Sequence, residues 1–171
     1  MELRRPQVKD KESVLAMMLE FEQESAAHDG GFWDTENFDY EEWLEQNFDH
    51  ELGLNLVDGM VPSIQFVAFS DDGKALGFLS LRLRLNDSLM MSGGHIGYSV
   101  RPSQRKRGIA KAMLTQALQV CQSKNIKKVL VTCHSDNLAS RAVILANGGQ
   151  LEDVRNGIER YWIEVEAQVD K

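Results

Sequence analysis

The stretch HIGYSVRPSQRKRGIAKAML, residues 95–114, combines a strand pattern, a basic loop and the start of an amphipathic helix. Pro102 ends the strand because it cannot donate to a ladder, and apolar residues recur at helical spacing from Ile109 onward. Gly108 and Ala110 lack bulk where this helix begins, so its unpaired first-turn N–H groups can approach a ligand closely. The pattern predicts a site for a phosphate or pyrophosphate.

The positive charge of this loop is unusual in an acidic chain. The 171 residues carry a formal net charge of −7, yet five basic residues and no acidic one fall within positions 101–111. They are Arg101, Arg105, Lys106, Arg107 and Lys111. Charge gathered at one helix start indicates a local anionic ligand, whereas nucleic-acid binding needs an extended basic face. We therefore expect no nucleic-acid partner.

The N-terminal third has the opposite charge. Residues 12–73 contain no Lys or Arg and hold 16 of the 26 acidic residues. Such asymmetry is typical of a solvated helix surface, and it also favours attraction of a cationic substrate. The sequence leaves both interpretations open.

Composition indicates one globular domain over residues 1–171, because 43% of the residues are hydrophobic and 26% are charged. Cys121 and Cys133 are too few for a disulfide framework and lack the paired spacing of a zinc site, so no metal is expected. No apolar run has the length of a membrane span, and the N-terminus lacks the apolar stretch of a secretory signal. We expect a soluble, cytoplasmic protein with no membrane partner.

The periodicity predicts the order β, α, α, β, β, β, α, β, α, β, which indicates an α/β domain with a partly antiparallel sheet. Asp10 is the expected cap of the first helix, and Asp72-Gly73 is the expected hairpin turn. The predicted strands are residues 1–8, 64–70, 75–85, 93–100, 127–134 and 160–166, and the predicted helices are residues 9–26, 39–48, 109–123 and 137–149.

The strand, loop and helix of residues 95–114 resemble the acyl-CoA binding motif of the GNAT superfamily of N-acetyltransferases. The family pattern Gln/Arg-x-x-Gly-x-Gly/Ala falls on Arg105, Gly108 and Ala110. The resemblance continues in DNLASRAVILANGGQLE, residues 136–152, which is similar to the family's second CoA element. It implies a single α/β GNAT-like domain whose mixed, mostly antiparallel sheet has two splayed parallel strands and is flanked by helices.

The resemblance also implies acetyl-CoA as the cofactor and assigns residues to it. The loop amides would hold the pyrophosphate, the strand edge would pair with the pantetheine amides, and the second element would face the cofactor. The loop residues are Arg105, Lys106, Arg107, Gly108, Ile109, Ala110 and Lys111. The strand residues are Tyr98, Ser99 and Val100, and those of the second element are Asn137 and Ser140.

Direct attack of an amine in a ternary complex is the mechanism that the resemblance implies. A backbone N–H between Tyr98 and Val100 could polarise the thioester carbonyl. His95, three residues before Tyr98, is the first candidate for the base, because a group that titrates near neutral pH suits this role. The other interpretation of His95 is a partly buried ring with its hydrogen bonds satisfied. Acidic residues of the N-terminal third are alternative bases: Glu20, Glu24 and Asp34.

The sequence leaves open which residue donates a proton to the leaving thiolate. Family members commonly carry Tyr seven residues after the helix Asn, and that position is Ile144 here. Phe is usual after the helix-ending glycine, and Gly149 stands there instead. Tyr98, Cys133 and Tyr161 are the candidates for the donor. A group of aromatic residues would either line an acceptor pocket or pack helices onto the sheet: Phe32, Trp33, Phe38, Tyr40 and Trp43.

We therefore expect an acetyl-CoA-dependent N-acetyltransferase whose partner is an amine, on a small molecule or a peptide, with a cationic amine favoured by the acidic stretch. A homodimer is compatible with this function. Two rivals remain: a non-catalytic acyl-CoA or anion sensor on the same fold, and a nucleic-acid accessory module that uses the basic loop.

Overall fold

Seven β-strands and five α-helices form the part of the chain that this computed structural model describes, residues 1–165. The first half contains β1 (Glu2–Arg4), α1 (Lys11–Gln23), α2 (Tyr40–Glu51), β2 (Ser63–Phe69), β3 (Ala75–Arg82) and α3 (Asp87–Met91). The second half contains β4 (Ile96–Val100), α4 (Ile109–Ser123), β5 (Lys128–His134), α5 (Leu138–Ala146), β6 (Gln150–Arg155) and β7 (Ile158–Glu164).

The strands form two sheets. One has the order β1-β2-β3-β4 and the other the order β5-β7-β6, and every ladder within residues 1–165 is antiparallel. The sheets come together where β4 meets β5. These strands correspond to the predicted strands 93–100 and 127–134, the pair that the family resemblance implies to be splayed. The α/β class with flanking helices is confirmed, and the sheet is divided in two at this pair.

Two apolar clusters cover the opposite faces of the first sheet. Leu79, Leu81 and Ile96 face the cluster that contains α4 and the second sheet. Phe78 and Val67 face the cluster formed with α1 and α2. Because alternate residues of β3 point to opposite faces, both faces of this sheet are buried. The fold thereby places α4 and α5 on one face of β4 and the α1–α2 loop on the other.

The strand, loop and helix that decide the fold have the predicted form, and α4 covers the predicted residues Ile109–Ser123. The strand begins later than expected, at Ile96. Gly93 and Gly94 have φ angles of +101° and +61°, which turn the chain and cannot belong to a strand.

Three details differ from the sequence-based expectation. α3 and β6 were not predicted, and β6 forms a hairpin with β7 through Asn156-Gly157, both with positive φ. Asp10 does occupy the position before α1, but its carboxylate accepts from Arg4 and from the Gln7 N–H and makes no cap bond to the helix. The expected end of the last strand, residue 166, lies outside the described residues.

Within residues 1–165, no helix is both long enough and apolar enough to span a membrane.

Candidate active site

A backbone hydrogen bond connects β5 to the residue that precedes β4. The N–H of His95, just before β4, donates to the carbonyl of Leu130 at 2.8 Å. No ladder joins the two strands in the described chain, because β4 pairs with β3 and β5 pairs with β7. The second half of β4 therefore has one edge that no strand covers.

Alternation along the ladder shows which groups occupy that edge. The backbone N–H of Arg101 donates to the carbonyl of Leu76, and that of Arg82 donates to the carbonyl of His95. The odd-numbered residues of β4 therefore share their backbone hydrogen bonds with β3. The N–H groups of Tyr98 and Val100 therefore point toward β5. Ser99, which the sequence places on the same binding edge, directs its backbone to β3, and its Oγ is buried without a partner among residues 1–165.

The start of α4 is open. Gly108 occupies the N-cap position with a φ of +76°, and a Cβ built on it would meet no atom within 4 Å. Across the described chain, no protein acceptor is found for the backbone N–H groups from Arg105 to Lys111. Free amides at the positive end of a 15-residue helix form an anion site. This geometry fits a pyrophosphate.

The basic side chains of the loop are available to such an anion. Arg105 donates to the carbonyl of Val100 at 3.3 Å and Arg107 donates to Gln104 at 3.4 Å. These two residues, with Lys106 and Lys111, are exposed, and none of the four forms an ion pair with an acidic residue of the described chain. Their charge is therefore not neutralised within the protein.

The second predicted element closes the same region from the side of α5. Asn137 is the N-cap of α5, and its Oδ1 accepts from the N–H of Ser140 at 3.1 Å. The Oγ of Ser140 lies 2.8 Å from the hydroxyl of Tyr98. The structure thus brings Tyr98, Asn137 and Ser140 together across the gap beside β4. Burial raises the pKa of Tyr98 to about 12, so its hydroxyl is protonated at neutral pH.

His95 is buried, with 7% of its surface exposed, and its Nδ1 accepts from the N–H of Leu130 at 2.9 Å. Burial and the charge of Arg82 lower the pKa of His95 to about 4. In the neutral ring Nε2 then carries the proton, so neither nitrogen offers a free lone pair. This geometry favours the second interpretation of His95, a satisfied ring that holds β4 to β5, over the role of base.

The proposed acidic bases have other partners or lie in solvent. Glu20 accepts from the N–H and Oγ of Ser103, both at 2.9 Å, and lies 3.2 Å from Arg101. It anchors the turn before the basic loop to α1. Glu24 is exposed, and Asp34 accepts from the N–H of Glu36 at 2.9 Å.

Asp29, an exposed residue that the sequence does not single out as a base, precedes a closely packed glycine. Its neighbour Gly30 packs on β4 so closely that a Cβ on Gly30 would lie 2.3 Å from the carbonyl oxygen of Gly97. The loop is fixed, because Gln65 donates to the Gly30 carbonyl at 2.7 Å and the His28 ring donates to the Gly31 carbonyl at 2.7 Å. Gly30-Gly31 is the sequence signal that could have indicated this close approach.

The other candidate proton donors are committed elsewhere. Tyr161 donates to Glu159 at 2.8 Å, and Arg141 holds the pKa of Glu159 down to about 2. Burial raises the pKa of the Cys133 thiol to about 11.

The two residues that depart from the family pattern, Ile144 and Gly149, pack against each other. Ile144 is fully buried, and a Cβ on Gly149 would lie 2.4 Å from its Cγ2.

The aromatic group divides between core and cavity. Tyr40 and Trp43 are buried in the cluster with α1, while Trp33 lies over His28 with ring centroids 3.9 Å apart. Phe32 and Trp43 also line a cavity of about 270 Å³ between α2 and the first sheet, with Ser80, Arg82 and Leu89 on its other side. A neighbouring cavity of about 480 Å³ contains the acidic residues Asp34, Asp39 and Glu42 beside Trp33 and Phe38. The aromatic residues therefore both pack in the core and line cavities, and their role toward an acceptor stays a prediction.

Known structures share this architecture at low sequence identity. The ribosomal-protein-S5-alanine acetyltransferase of Vibrio fischeri superposes with a TM-score of 0.68 at 16% identity, covering 98% of this chain and 94% of that one. The phosphinothricin acetyltransferase of Sinorhizobium meliloti, solved with acetyl-CoA, gives 0.63 at 17% identity, with 99% and 91% covered. A spermidine N-acetyltransferase chimera from Vibrio cholerae gives 0.61 at 16% identity, with 96% of both chains covered.

No curated protein matches the chain. The model of the acetyltransferase (GNAT) domain matches residues 1–150, which is most of the sequence. The open start of α4, the free edge of β4 and this match agree with one another, and the chain belongs to the GNAT acetyltransferase domain family.

Proposed function

We propose that the chain is an acetyl-CoA-dependent N-acetyltransferase in which an amine attacks the thioester directly within a ternary complex. The observation that carries the proposal is the open, unneutralised start of α4 beside the uncovered edge of β4. The full range of residues 1–171 is proposed as one acyltransferase domain. Because Cys121 and Cys133 are free thiols, as in a reducing compartment, the cytoplasm is the proposed location.

The residues present fit the phosphate end of acetyl-CoA. The amides from Arg105 to Lys111 would hold the pyrophosphate, and a side chain at Gly108 would occupy the space it needs. The exposed Arg105, Lys106 and Arg107 add charge at the rim. Acetyl-CoA supplies the thioester that the reaction consumes.

The edge of β4 supplies binding and polarisation. Strand-like pairing requires unpaired backbone groups, and those of Tyr98 and Val100 face the gap. An N–H aimed at a carbonyl oxygen stabilises the negative charge that develops there. The hydroxyl of Tyr98, protonated at neutral pH, is the proposed donor to the leaving sulfur.

Asp29 is the proposed acceptor of the amine proton. It lies in the fixed loop whose Gly30 packs on Gly97, on the face of β4 opposite Tyr98. Acid and base would then approach the reacting atoms from the two faces of the sheet. This arrangement suits direct transfer without a covalent enzyme intermediate.

The acceptor class is an amine. The similar structures include acetyltransferases of a protein alanine, of phosphinothricin and of spermidine. An assay that measures released CoA thiol, run with a panel of amino acids, a peptide and spermidine, tests the proposal. We expect thiol release that depends on one amine class. No release from any amine, with acetyl-CoA bound, would reject it.

A non-catalytic acyl-CoA sensor is the second candidate. The observation that favours it is Ile144, a fully buried side chain without a proton where the family commonly has Tyr. The assay separates the two: the sensor predicts binding of acetyl-CoA without turnover.

A further inference from the structure

The cavity of about 270 Å³ between α2 and the first sheet has one arginine and no carboxylate among its lining residues. This composition is unexpected, because residues 12–73, which supply most of its walls, carry no basic residue and 16 acidic ones. The cation is Arg82, at the end of β3. The side chain is half-buried, and this burial lowers the pKa of Arg82.

The guanidinium of Arg82 is only partly used by the protein. Its Nη1 donates to the carbonyls of Gly93 and Gly94, both at 3.1 Å. No acceptor for its Nε or Nη2 is found in residues 1–165, and no carboxylate of that range lies within 4.0 Å of it. The side of the guanidinium formed by Nε and Nη2 is the one that binds a carboxylate with two parallel hydrogen bonds.

Arg82 borders the reacting region. A Cβ on Gly97 would lie 3.7 Å from the Nη2 of Arg82, and Gly97 precedes Tyr98 on β4. A carboxylate held by Arg82 therefore lies close to the position where the amine must react. The carboxylate carbon and the amine nitrogen of the acceptor can then be as few as two bonds apart.

Asp29 lies near Arg82 without pairing with it. The negative charge of Asp29 raises the pKa of Arg82, yet the two side chains form no ion pair within 4.0 Å. A zwitterion has the two charges that such a pair attracts, a carboxylate for Arg82 and an ammonium for Asp29. Most of the remaining cavity surface is apolar, with Phe32, Trp43 and Leu89 in its walls, and polar side chains such as Gln46 and His50 also line it. A further donor in the wall, the Nδ2 of Asn47, is buried and has no partner in the described chain.

We propose that the acceptor is a free α-amino acid with an apolar side chain, bound by Arg82 through its carboxylate and by Asp29 through its ammonium. This inference rests on the proposed acetyltransferase function and names its substrate class. Asp29 takes one proton from the ammonium, the amine nitrogen forms a bond to the acetyl carbon, and the carbon–sulfur bond breaks as Tyr98 donates a proton to the sulfur. The nitrogen loses its second proton to solvent, and solvent returns a proton to Tyr98. The products are an N-acetyl amino acid and CoA. The acidic stretch of the sequence favours a cationic amine as the acceptor. The proposed acceptor is instead a zwitterion, which carries a carboxylate as well as the ammonium.

The test compares each free acid with its amide. Thiol release is measured with acetyl-CoA and L-leucine, L-methionine or L-phenylalanine, with the three corresponding amides, and with spermidine. Because the carboxylate of the acid forms a hydrogen-bonded charge pair with Arg82 and the amide does not, we expect kcat/KM to be about 10- to 100-fold higher for the acid. Intrinsic reactivity opposes this preference, because the neighbouring carboxylate raises the pKa of the amine. A preference for the acid therefore reports binding of the carboxylate.

Arg82→Gln should bring the ratio of acid to amide to within about threefold of unity, while Arg84→Gln should keep the wild-type ratio. Arg84 is the matched control because it lies two residues further on, is exposed and is absent from the cavity. Damage to the Gly93-Gly94 turn would slow both substrates and leave their ratio unchanged. If Arg82→Gln does not fold, the wild-type ratio alone decides.

The outcomes separate the two proposals. Equal rates for acid and amide, or use of spermidine in preference to the acids, would overturn the zwitterion site and leave the acetyltransferase function standing. Absence of thiol release with every amine would overturn both.

Discussion

The hydroxyl of Tyr98 on β4 lies 2.8 Å from the hydroxyl of Ser140 at the start of α5. This contact bridges the gap between β4 and α5, and it joins the two parts of the chain that the family resemblance assigns to CoA. The phenol of Tyr98, with a pKa of about 12, is protonated at neutral pH, whereas the α5 position that commonly carries Tyr is the buried Ile144.

Tyr98→Phe should lower kcat by about 10- to 100-fold at pH 7. This is at the low end for general acid catalysis, because a thiolate with a pKa of about 8.5 is already a fair leaving group. Ser140→Ala removes the same hydrogen bond and keeps the phenol, so its kcat should stay within about threefold of wild type. Steady-state kinetics with acetyl-CoA measures both. Equal losses in the two variants would show that the contact matters only for structure.

His95 should make the fold sensitive to acid. Its pKa is lowered from 6.5 to about 4 in the folded protein, so between these values the unfolded chain binds a proton that the folded chain does not. Stability contributed by the neutral ring is present above pH 6.5 and is lost as the pH falls toward 4, by at most about 3 kcal/mol. His95→Gln keeps an acceptor for the Leu130 N–H and cannot titrate.

Urea unfolding at pH 7 and pH 5 measures this effect. The wild type should lose more stability on acidification than His95→Gln does, and the variant should keep kcat within about tenfold at pH 7. Equal losses of stability on acidification in wild type and His95→Gln, or a hundredfold fall in the kcat of His95→Gln, would instead support His95 as the base.

Asp29→Asn should reduce kcat by about 100-fold at pH 7, a typical value for loss of a general base. The deficit should shrink at high pH, where the amine has already lost its proton in solution. Glu36→Gln, an exposed change in the same loop, should stay within about threefold of wild type. A deficit that stays constant from pH 7 to pH 10 would argue against Asp29 as the base.

Gly149→Ala should destabilise the fold by about 1–3 kcal/mol, because its Cβ would lie 2.4 Å from Ile144. Ile144→Ala leaves a cavity and should cost about 2–5 kcal/mol. The double variant should cost less than the sum, since each change relieves the other. Denaturant unfolding of the three variants measures the coupling, and strict additivity would contradict the shared packing.

The strand, loop and helix at residues 95–114 could be predicted from the sequence because each element follows from neighbouring residues. Pro102 ends a strand and Gly108 begins a helix whatever surrounds them. The hairpin at Asn156-Gly157 carried an equally local signal. It was missed because β6 is largely exposed and lacks an apolar pattern.

The acceptor side of the site could not be predicted in the same way. Asp29 and Arg82 are 53 positions apart, and only the packing of Gly30 on Gly97 brings them near each other. His95 gave a misleading signal, because sequence position does not reveal that its ring accepts from Leu130. Contacts of this kind depend on tertiary packing, which periodicity does not encode.

We expect the start of α4 to bind the diphosphate of acetyl-CoA. Calorimetric titration of acetyl-CoA into three proteins tests this binding. Gly108 and Gly73 are a matched pair, with φ angles of +76° and +84° and no atom within 4 Å of an added Cβ. Wild type and Gly73→Trp should bind alike, and Gly108→Trp should lose at least about 100-fold in affinity, or about 2.7 kcal/mol, while it stays folded. Unchanged affinity in Gly108→Trp would contradict the account.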